Sequence, residues 1–324
     1  MQSLSDIKAL LESRGLSPKR SLGQNFLVDQ NLLRKLIDSA AVAPGDLVLE
    51  VGPGTGVLTE ELLARGCRVI ACELDDSLAA MLAERARTGE IPGGERLTVV
   101  HADCLASKEQ LSPLLIDALD AATGGVHAPG ARFKLIANLP YGAATPLMMT
   151  LLTGYRACAM QCVTIQREVA ERLLAKPRSS ERGMLSVLAQ AAAKVERIAA
   201  APPECFWPRP DVTSAMVRLE RLPEPLVDDL PGLAAFVKEL FAHRRKQLGG
   251  VLKGMTAWPE GVAPTMRAEE LSLEQVRDVF LLRARAGDAP EASSDPPGAG
   301  RAVRRGSRPA RPQPAGGGMR GVWG

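Results

Sequence analysis

From Leu47 to Leu219 the chain alternates short apolar runs with helical patterns, and no other feature restricts its fold as much. The apolar runs are Leu47–Val51, Cys67–Cys72, Leu97–His101, Phe133–Ala137 and Cys158–Ile165. Between them, apolar residues recur at helical spacing near Leu58–Arg65, Ser77–Arg87, Pro113–Ala122 and Pro146–Leu152. Short continuous apolar runs bounded by turn residues read as strands buried on both faces. Strand and helix in strict turn build a doubly wound α/β fold around a mostly parallel sheet. Two later runs, Val195–Ala199 and Ala215–Leu219, are expected to add an antiparallel pair.

The flanking segments are mainly helical. Leu4, Ile7, Leu10 and Leu11 share one helical face that Gly15 terminates, and a second helix is expected from Asp29, burying Leu32, Leu33, Leu36 and Ile37. Helices over Glu168–Leu174 and Leu185–Ala192 enclose a basic loop, Lys176–Gly183. The Gly- and His-containing stretch 123–131 reads as a surface insertion. Residues 222–231, with three prolines, read as a linker into a small all-helical C-terminal domain. That domain places Arg244, Arg245 and Lys246 inside an apolar helical stretch ending at Leu252, and Ser272 with Gln275 forms a capping box. Residues 286–324 hold six prolines and nine glycines with almost no large apolar side chain, a composition expected to stay disordered. The expected division is therefore 1–221, 222–285 and 286–324.

Charge narrows the function classes. The net charge of +3 arises wholly in 286–324, where six arginines face Asp288, Glu291 and Asp295, so residues 1–285 are formally neutral. A nucleic-acid surface on the folded part must come from local clusters. No apolar run approaches the ~18 residues of a membrane span, and Met1–Arg20 does not resemble a signal peptide, so a cytoplasmic protein without a membrane partner is expected. Cys67, Cys72, Cys104, Cys158, Cys162 and Cys205 form no CxxC, and His101, His127 and His243 share no ligand spacing. Reduced thiols and no metal are expected.

Ligands of open α/β sheets bind at the carboxyl ends of strands. Four such ends carry chemistry here. Glu50-Val51-Gly52-Pro53-Gly54-Thr55-Gly56 is a turn whose glycines, Gly52 and Gly54 among them, admit a ligand close to the backbone. Glu73 ends the second strand, where an acid can accept both ribose hydroxyls of a nucleoside, and Asp103 follows the third, placed for an adenine amino group. Asn138-Leu139-Pro140-Tyr141 ends the fourth. The Asn138 side-chain oxygen and the Leu139 carbonyl can accept two hydrogens of an exocyclic amine, Pro140 stiffens the turn, and Tyr141 offers a stacking face. The G-x-G-x-G spacing and the absence of an evident hydride-transfer role favour S-adenosylmethionine over a nicotinamide dinucleotide.

With these motifs the chain resembles the small-subunit ribosomal RNA adenine dimethyltransferase family. The resemblance runs through Leu22-Gly23-Gln24-Asn25-Phe26-Leu27, Glu50–Gly56, Glu73-Leu74-Asp75, Asp103, Asn138–Tyr141, Gln166–Leu173 and Cys205–Val212, covering about residues 5–285. It implies a Rossmann-like class I methyltransferase sheet with a small helical C-terminal domain. It also implies a substrate of two neighbouring adenosines in a loop near the 3′ end of small-subunit ribosomal RNA. The small ribosomal subunit is the expected partner, and a monomer the expected state. By position, Asn25, Leu27, Gly52, Glu73, Asp103 and Asn138 would hold S-adenosylmethionine. Lys19, Arg20, Arg178, Arg182, Arg244, Arg245 and Lys246 are the candidates for the RNA backbone. An adenine of large-subunit or other RNA as target, a non-catalytic ribosome assembly factor and a nicotinamide oxidoreductase are the competing readings.

Overall fold

A computed structural model describes residues 2–287 of the chain. Helix α1 (Leu4–Ser13) and helix α2 (Gln30–Ser39) precede a seven-stranded sheet. Its strands and helices follow as β1 (Leu47–Val51), α3 (Val57–Ala64), β2 (Arg68–Glu73), α4 (Asp76–Arg87), β3 (Leu97–His101), α5 (Pro113–Thr123), β4 (Phe133–Asn138), α6 (Tyr141–Gly154) and β5 (Cys158–Gln166). After these come α7 (Arg167–Leu174), α8 (Met184–Ala192), β6 (Ala193–Ala201) and β7 (Ser214–Arg221), then α9 (Leu230–Ala242), α10 (Leu248–Val251) and α11 (Leu273–Gly287).

The spatial order is β3-β2-β1-β4-β5-β7-β6. Strand β7 runs antiparallel to both β5 and β6, while the β3-β2-β1-β4-β5 block is parallel. The mostly parallel sheet read from the sequence is therefore present, with the reversed strand lying inside the last pair of neighbours. All five residues of β1 are buried, as strands covered by helices on both faces must be. The order reverses between β1 and β4. At such a switch point the two strand ends diverge and leave a crevice.

Two apolar layers cover the sheet. On one face Ile7 and Leu11 of α1, Leu33, Leu36 and Ile37 of α2, and Leu62, Leu63 and Leu82 pack against Val48, Val69 and Ile136. On the other, Leu147 and Leu151 of α6 and Val187 and Leu188 of α8 share one cluster with Leu233, Phe236, Val237 and Leu240 of α9. The C-terminal helices thus build on the layer that covers the sheet. Each buried Leu or Ile in these layers contributes roughly 1.5–3 kcal/mol. The expected capping box closes on α11, with the Ser272 N–H donating to Gln275 Oε1 at 2.9 Å and the Gln275 N–H to Ser272 Oγ at 3.1 Å.

Three local expectations change. The helix expected from Pro146 begins at Tyr141, with Pro146 inside it, because the Pro140 carbonyl accepts the N–H groups of Ala143 and Ala144 and opens the first turn early. Proline marks helix starts often enough to mislead. The helical stretch through Arg244–Lys246 is broken instead: α9 ends at Ala242, and the basic residues occupy the turn before α10. The insertion 123–131 is anchored, since Val126 is buried and its N–H donates to Asp120 Oδ1. Of the expected tail, all but the two residues closing α11 lies outside the described residues.

Candidate active site

One cavity of about 640 Å³ opens at the switch point. It is lined by the glycine turn, by Glu50 and Glu73, by Asp103, by Ser21–Leu27 and by Asn138–Tyr141. Every residue expected to hold the cofactor (Asn25, Leu27, Gly52, Gly54, Glu73, Asp103 and Asn138) lines this space, as do Leu139, Pro140 and Tyr141.

The glycine turn has no room for side chains. At Gly52 the backbone has φ +70°, and a Cβ would stand 3.3 Å from the Pro140 ring. The Gly54 N–H donates to Glu73 Oε2 at 3.1 Å, while the Asp75 N–H donates to Glu73 Oε1 at 3.0 Å. Each carboxylate oxygen keeps capacity for a further donor such as a ribose hydroxyl. Burial pushes the Glu73 carboxyl above its usual range despite those two N–H donors.

Glu50, which the sequence marks only as the first residue of the turn, is the more unusual acid. It is 1% exposed and accepts one hydrogen bond, from Thr59 Oγ1 at 2.7 Å. Burial raises its pKa to about 8, Thr59 opposes the rise and the neighbouring Glu73 adds to it. Two buried carboxyls along the same wall, without a basic partner among the described residues, suit a ligand that brings positive charge, as a sulfonium and ammonium compound does. An acid inside an otherwise apolar strand was the sequence signal for this residue. Because Glu50 titrates near 4.5 when unfolded and about 8 when folded, the folded state holds an extra proton between those values. Stability therefore falls as pH rises through that window. Glu50→Gln keeps the Thr59 bond and removes the titration, so ligand-free protein should gain on the order of 4 kcal/mol at pH 8 and little at pH 4.5. Urea melts of both proteins at the two pH values measure this, and an equal gain at both would refute the buried acid.

At the opposite wall the Asn138 Nδ2 donates to the Asn25 carbonyl at 2.8 Å. Only the amide nitrogen can donate to a carbonyl, so this bond fixes which way the side chain faces. The Leu139 N–H is committed to the Thr164 carbonyl at 3.2 Å. Among the described residues, neither Asn138 Oδ1 nor the Leu139 carbonyl accepts a hydrogen bond. Two acceptors are thus left beside the cavity. The Tyr141 hydroxyl is 2.8 Å from Ser214 Oγ, and burial raises its pKa, with the Ser214 bond acting against the rise.

The Ser21–Leu27 segment that walls the cavity is fastened at several points. Asp75, buried at the N-cap of α4, accepts from Lys19 Nζ at 2.9 Å and Gln24 Nε2 at 2.8 Å. Burial alone would raise the Asp75 pKa, but these two donors, with the Leu78 N–H and the Lys19 charge, together hold the carboxyl below its usual range. Further on, Phe26 and Leu27 pair antiparallel with Trp207 and Phe206, and the Phe26 and Trp207 rings stack with centroids 6.2 Å apart. The Cys205–Val212 motif is thereby explained in part as an anchor for this segment.

The expected RNA-contacting residues lie outside the cavity, and one must be withdrawn. Arg182 is fully buried, its Nη1 donating to the Ala175 carbonyl and to Gln190 Oε1, and burial lowers its pKa. A guanidinium enclosed in this way fastens its own loop and cannot meet a phosphate. Arg20, Arg178, Arg245 and Lys246 are exposed. Lys19 is exposed but paired with Asp75, and Arg244 is joined to Glu269 and the Ser180 carbonyl.

A β3-β2-β1-β4-β5-β7-β6 sheet with one reversed strand, and a glycine turn hydrogen-bonded to an acid at the end of the adjoining strand, define a class I methyltransferase. The chain belongs to the ribosomal RNA adenine dimethylase family, whose model matches residues 15–284. It is similar to the ribosomal RNA small subunit methyltransferase A of Streptomyces griseus, 36% identical over 281 residues, covering 83% of this chain and 91% of that protein. The protein of the same name from Magnetococcus marinus is 38% identical over 277 residues, covering 83% and 93%. Among solved structures, a dimethyladenosine transferase from Plasmodium falciparum superposes with a TM-score of 0.64 at 21% identity, covering 80% of this chain and 97% of that one. The 23S rRNA methyltransferase ErmE gives 0.57 at 24%, covering 79% and 98%. These two likenesses establish the fold. Among the described residues, no helix is long and apolar enough to cross a membrane.

Proposed function

We propose that this protein dimethylates N6 of two adjacent adenosines in the loop of the 3′-terminal helix of small-subunit ribosomal RNA, using S-adenosylmethionine, and so contributes to small-subunit maturation. The observation that carries this reading is the single cavity in which the glycine turn and its carboxyls face an asparagine whose amide oxygen is turned free. Family membership and relatives named for the small-subunit RNA support the choice of substrate. The bound cofactor supplies an electrophilic methyl group on a positively charged sulfur.

The chain's own residues do the positioning. Adenine N6 is a weak nucleophile because its lone pair is delocalised into the ring. Asn138 Oδ1 and the Leu139 carbonyl hold the two amine hydrogens, favour a pyramidal nitrogen and direct its lone pair at the methyl carbon. Tyr141 fixes the ring by stacking, so most of the acceleration comes from orientation. A base within a helix stack cannot present N6 in this way, so the target adenosine is looped out. After the first transfer one N–H remains, and the site accepts a methyl in place of the other hydrogen. No histidine lines the cavity. None is required, because the product ammonium is acidic enough to lose its proton to water.

The exposed basic turn Arg244–Lys246, with Arg20 and Arg178, supplies backbone contacts, and residues 222–285 form the substrate-contacting part of the enzyme. The protein acts as a monomer in the cytoplasm on a partly assembled small subunit. Tritiated S-adenosylmethionine offered in parallel to unmethylated small subunits and to large subunits, followed by digestion to nucleosides and chromatography, tests the reading. Label in dimethyladenosine of the small-subunit RNA is the expected result. Label confined to large-subunit RNA, or none in adenosine, would overturn it.

A further inference from the structure

A stacking platform helps methyl transfer only if its plane is fixed. Tyr141 is held near the backbone by its place as the first residue of α6, directly after Pro140. That leaves rotation about the side-chain bonds, and the far end of the ring is secured by something outside the Asn138–Tyr141 motif. The hydroxyl lies 2.8 Å from Ser214 Oγ. Ser214 is 0% exposed and opens β7, in register with Gln166 of β5 on one side and Ala201 of β6 on the other. Its oxygen is thus placed by two strand ladders, whereas a loop serine would move with its loop.

We propose that Ser214 is a positioning residue for methyl transfer, locking the Tyr141 ring in the plane that receives the target adenine. The inference rests on the reading of Tyr141 as the base-stacking surface. With the hydroxyl tethered, the ring is secured at both ends and the amine arrives in line with the methyl carbon. Without the tether the ring samples other orientations, and a misplacement on the order of 1 Å in such a site lowers rate more than affinity.

Ser214→Ala and Tyr141→Phe break the same bond from opposite sides, and the chain has only two tyrosines, Tyr141 and Tyr155. Fluorotyrosine incorporation therefore gives two fluorine resonances, which Tyr141→Phe assigns. In Ser214→Ala the Tyr141 resonance should shift or broaden while that of Tyr155 stays. The single-turnover rate on unmethylated small subunits should fall about tenfold, with cofactor affinity unchanged within about twofold. The double variant should be no slower than Tyr141→Phe alone, because the second substitution removes nothing further. An unmoved Tyr141 resonance with an undiminished rate, or two effects that multiply, would overturn the proposal. Should Ser214→Ala fail to fold, Tyr141→Phe with the same rate and affinity measurements decides, and a parental rate there refutes the lock. Tyr141→Ala separates the two layers of the argument. If it retains full rate, the stacking reading itself is wrong; if it is inactive while Ser214→Ala is unimpaired, only the role of Ser214 is lost.

Discussion

Asn138→Ala should abolish methyl transfer, with the rate falling by at least about a thousandfold, while the affinity for S-adenosylmethionine declines only several-fold. The asymmetry follows from where the side chain sits. Its amide nitrogen is spent on the Asn25 carbonyl at 2.8 Å, so deletion loosens one tether of the segment that walls the cavity. The rest of that segment remains fixed by Asp75 and by the pairing of Phe26–Leu27 with Phe206–Trp207. In the proposed reaction the amide oxygen would receive one hydrogen of the amine and the Leu139 carbonyl the other, so neither acceptor could stand in for its neighbour. Asn138→Asp retains an acceptor there but cannot donate to Asn25, so it should recover part of the rate only if its carboxylate keeps its orientation. Single-turnover transfer and calorimetric cofactor titration on the same preparations measure the split. A parental rate in Asn138→Ala, or a loss explained wholly by cofactor affinity, would remove the asparagine from the chemistry.

The sheet was legible because buried parallel strands write themselves as unbroken apolar runs, and the strand-end residues were legible because their chemistry is out of place there. Glu73, Asp103 and Asn138 interrupt or end apolar runs, and the structure gathers all three around one cavity. What escaped was decided by tertiary neighbours. Arg182 looks like any other cation of a basic loop, and nothing local records that Gln190, a helix away, encloses it. Ser214 is a small polar residue at a strand start, and its partner lies 73 positions earlier in the chain. Asp75 stands in the sequence only as the last residue of Glu73-Leu74-Asp75, whereas in the structure it caps α4 and also accepts from two donors of the N-terminal segment. The early start of α6 was hidden by Pro146, a residue whose usual meaning at a helix is its first turn.

Gly54→Ala, the addition of one methyl group, should weaken S-adenosylmethionine binding by about a hundredfold or more and lower the melting temperature as well. Gly54 adopts φ +58°, where a side chain is strained, and its Cβ would stand 2.6 Å and 2.8 Å from two carbons of the Phe26 ring. That ring cannot simply yield. It is buried, stacked on Trp207, and held in register by the short ladder to Phe206–Trp207. The alternative is for the turn to move. Movement would withdraw the Gly54 N–H from Glu73 at 3.1 Å, unseating the acid assigned to the ribose. Both responses damage the same pocket, which is why the smallest substitution has so large an effect. Because the cause is a collision with a named ring, shortening the ring should relieve it: Phe26→Leu combined with Gly54→Ala should bind the cofactor better than Gly54→Ala alone. Gly250→Ala, whose added carbon meets nothing within 4 Å, serves as the control and should bind as the parent does. Calorimetric titrations of the four proteins supply the comparison. Parental affinity in Gly54→Ala would mean that the cofactor does not lie against this turn.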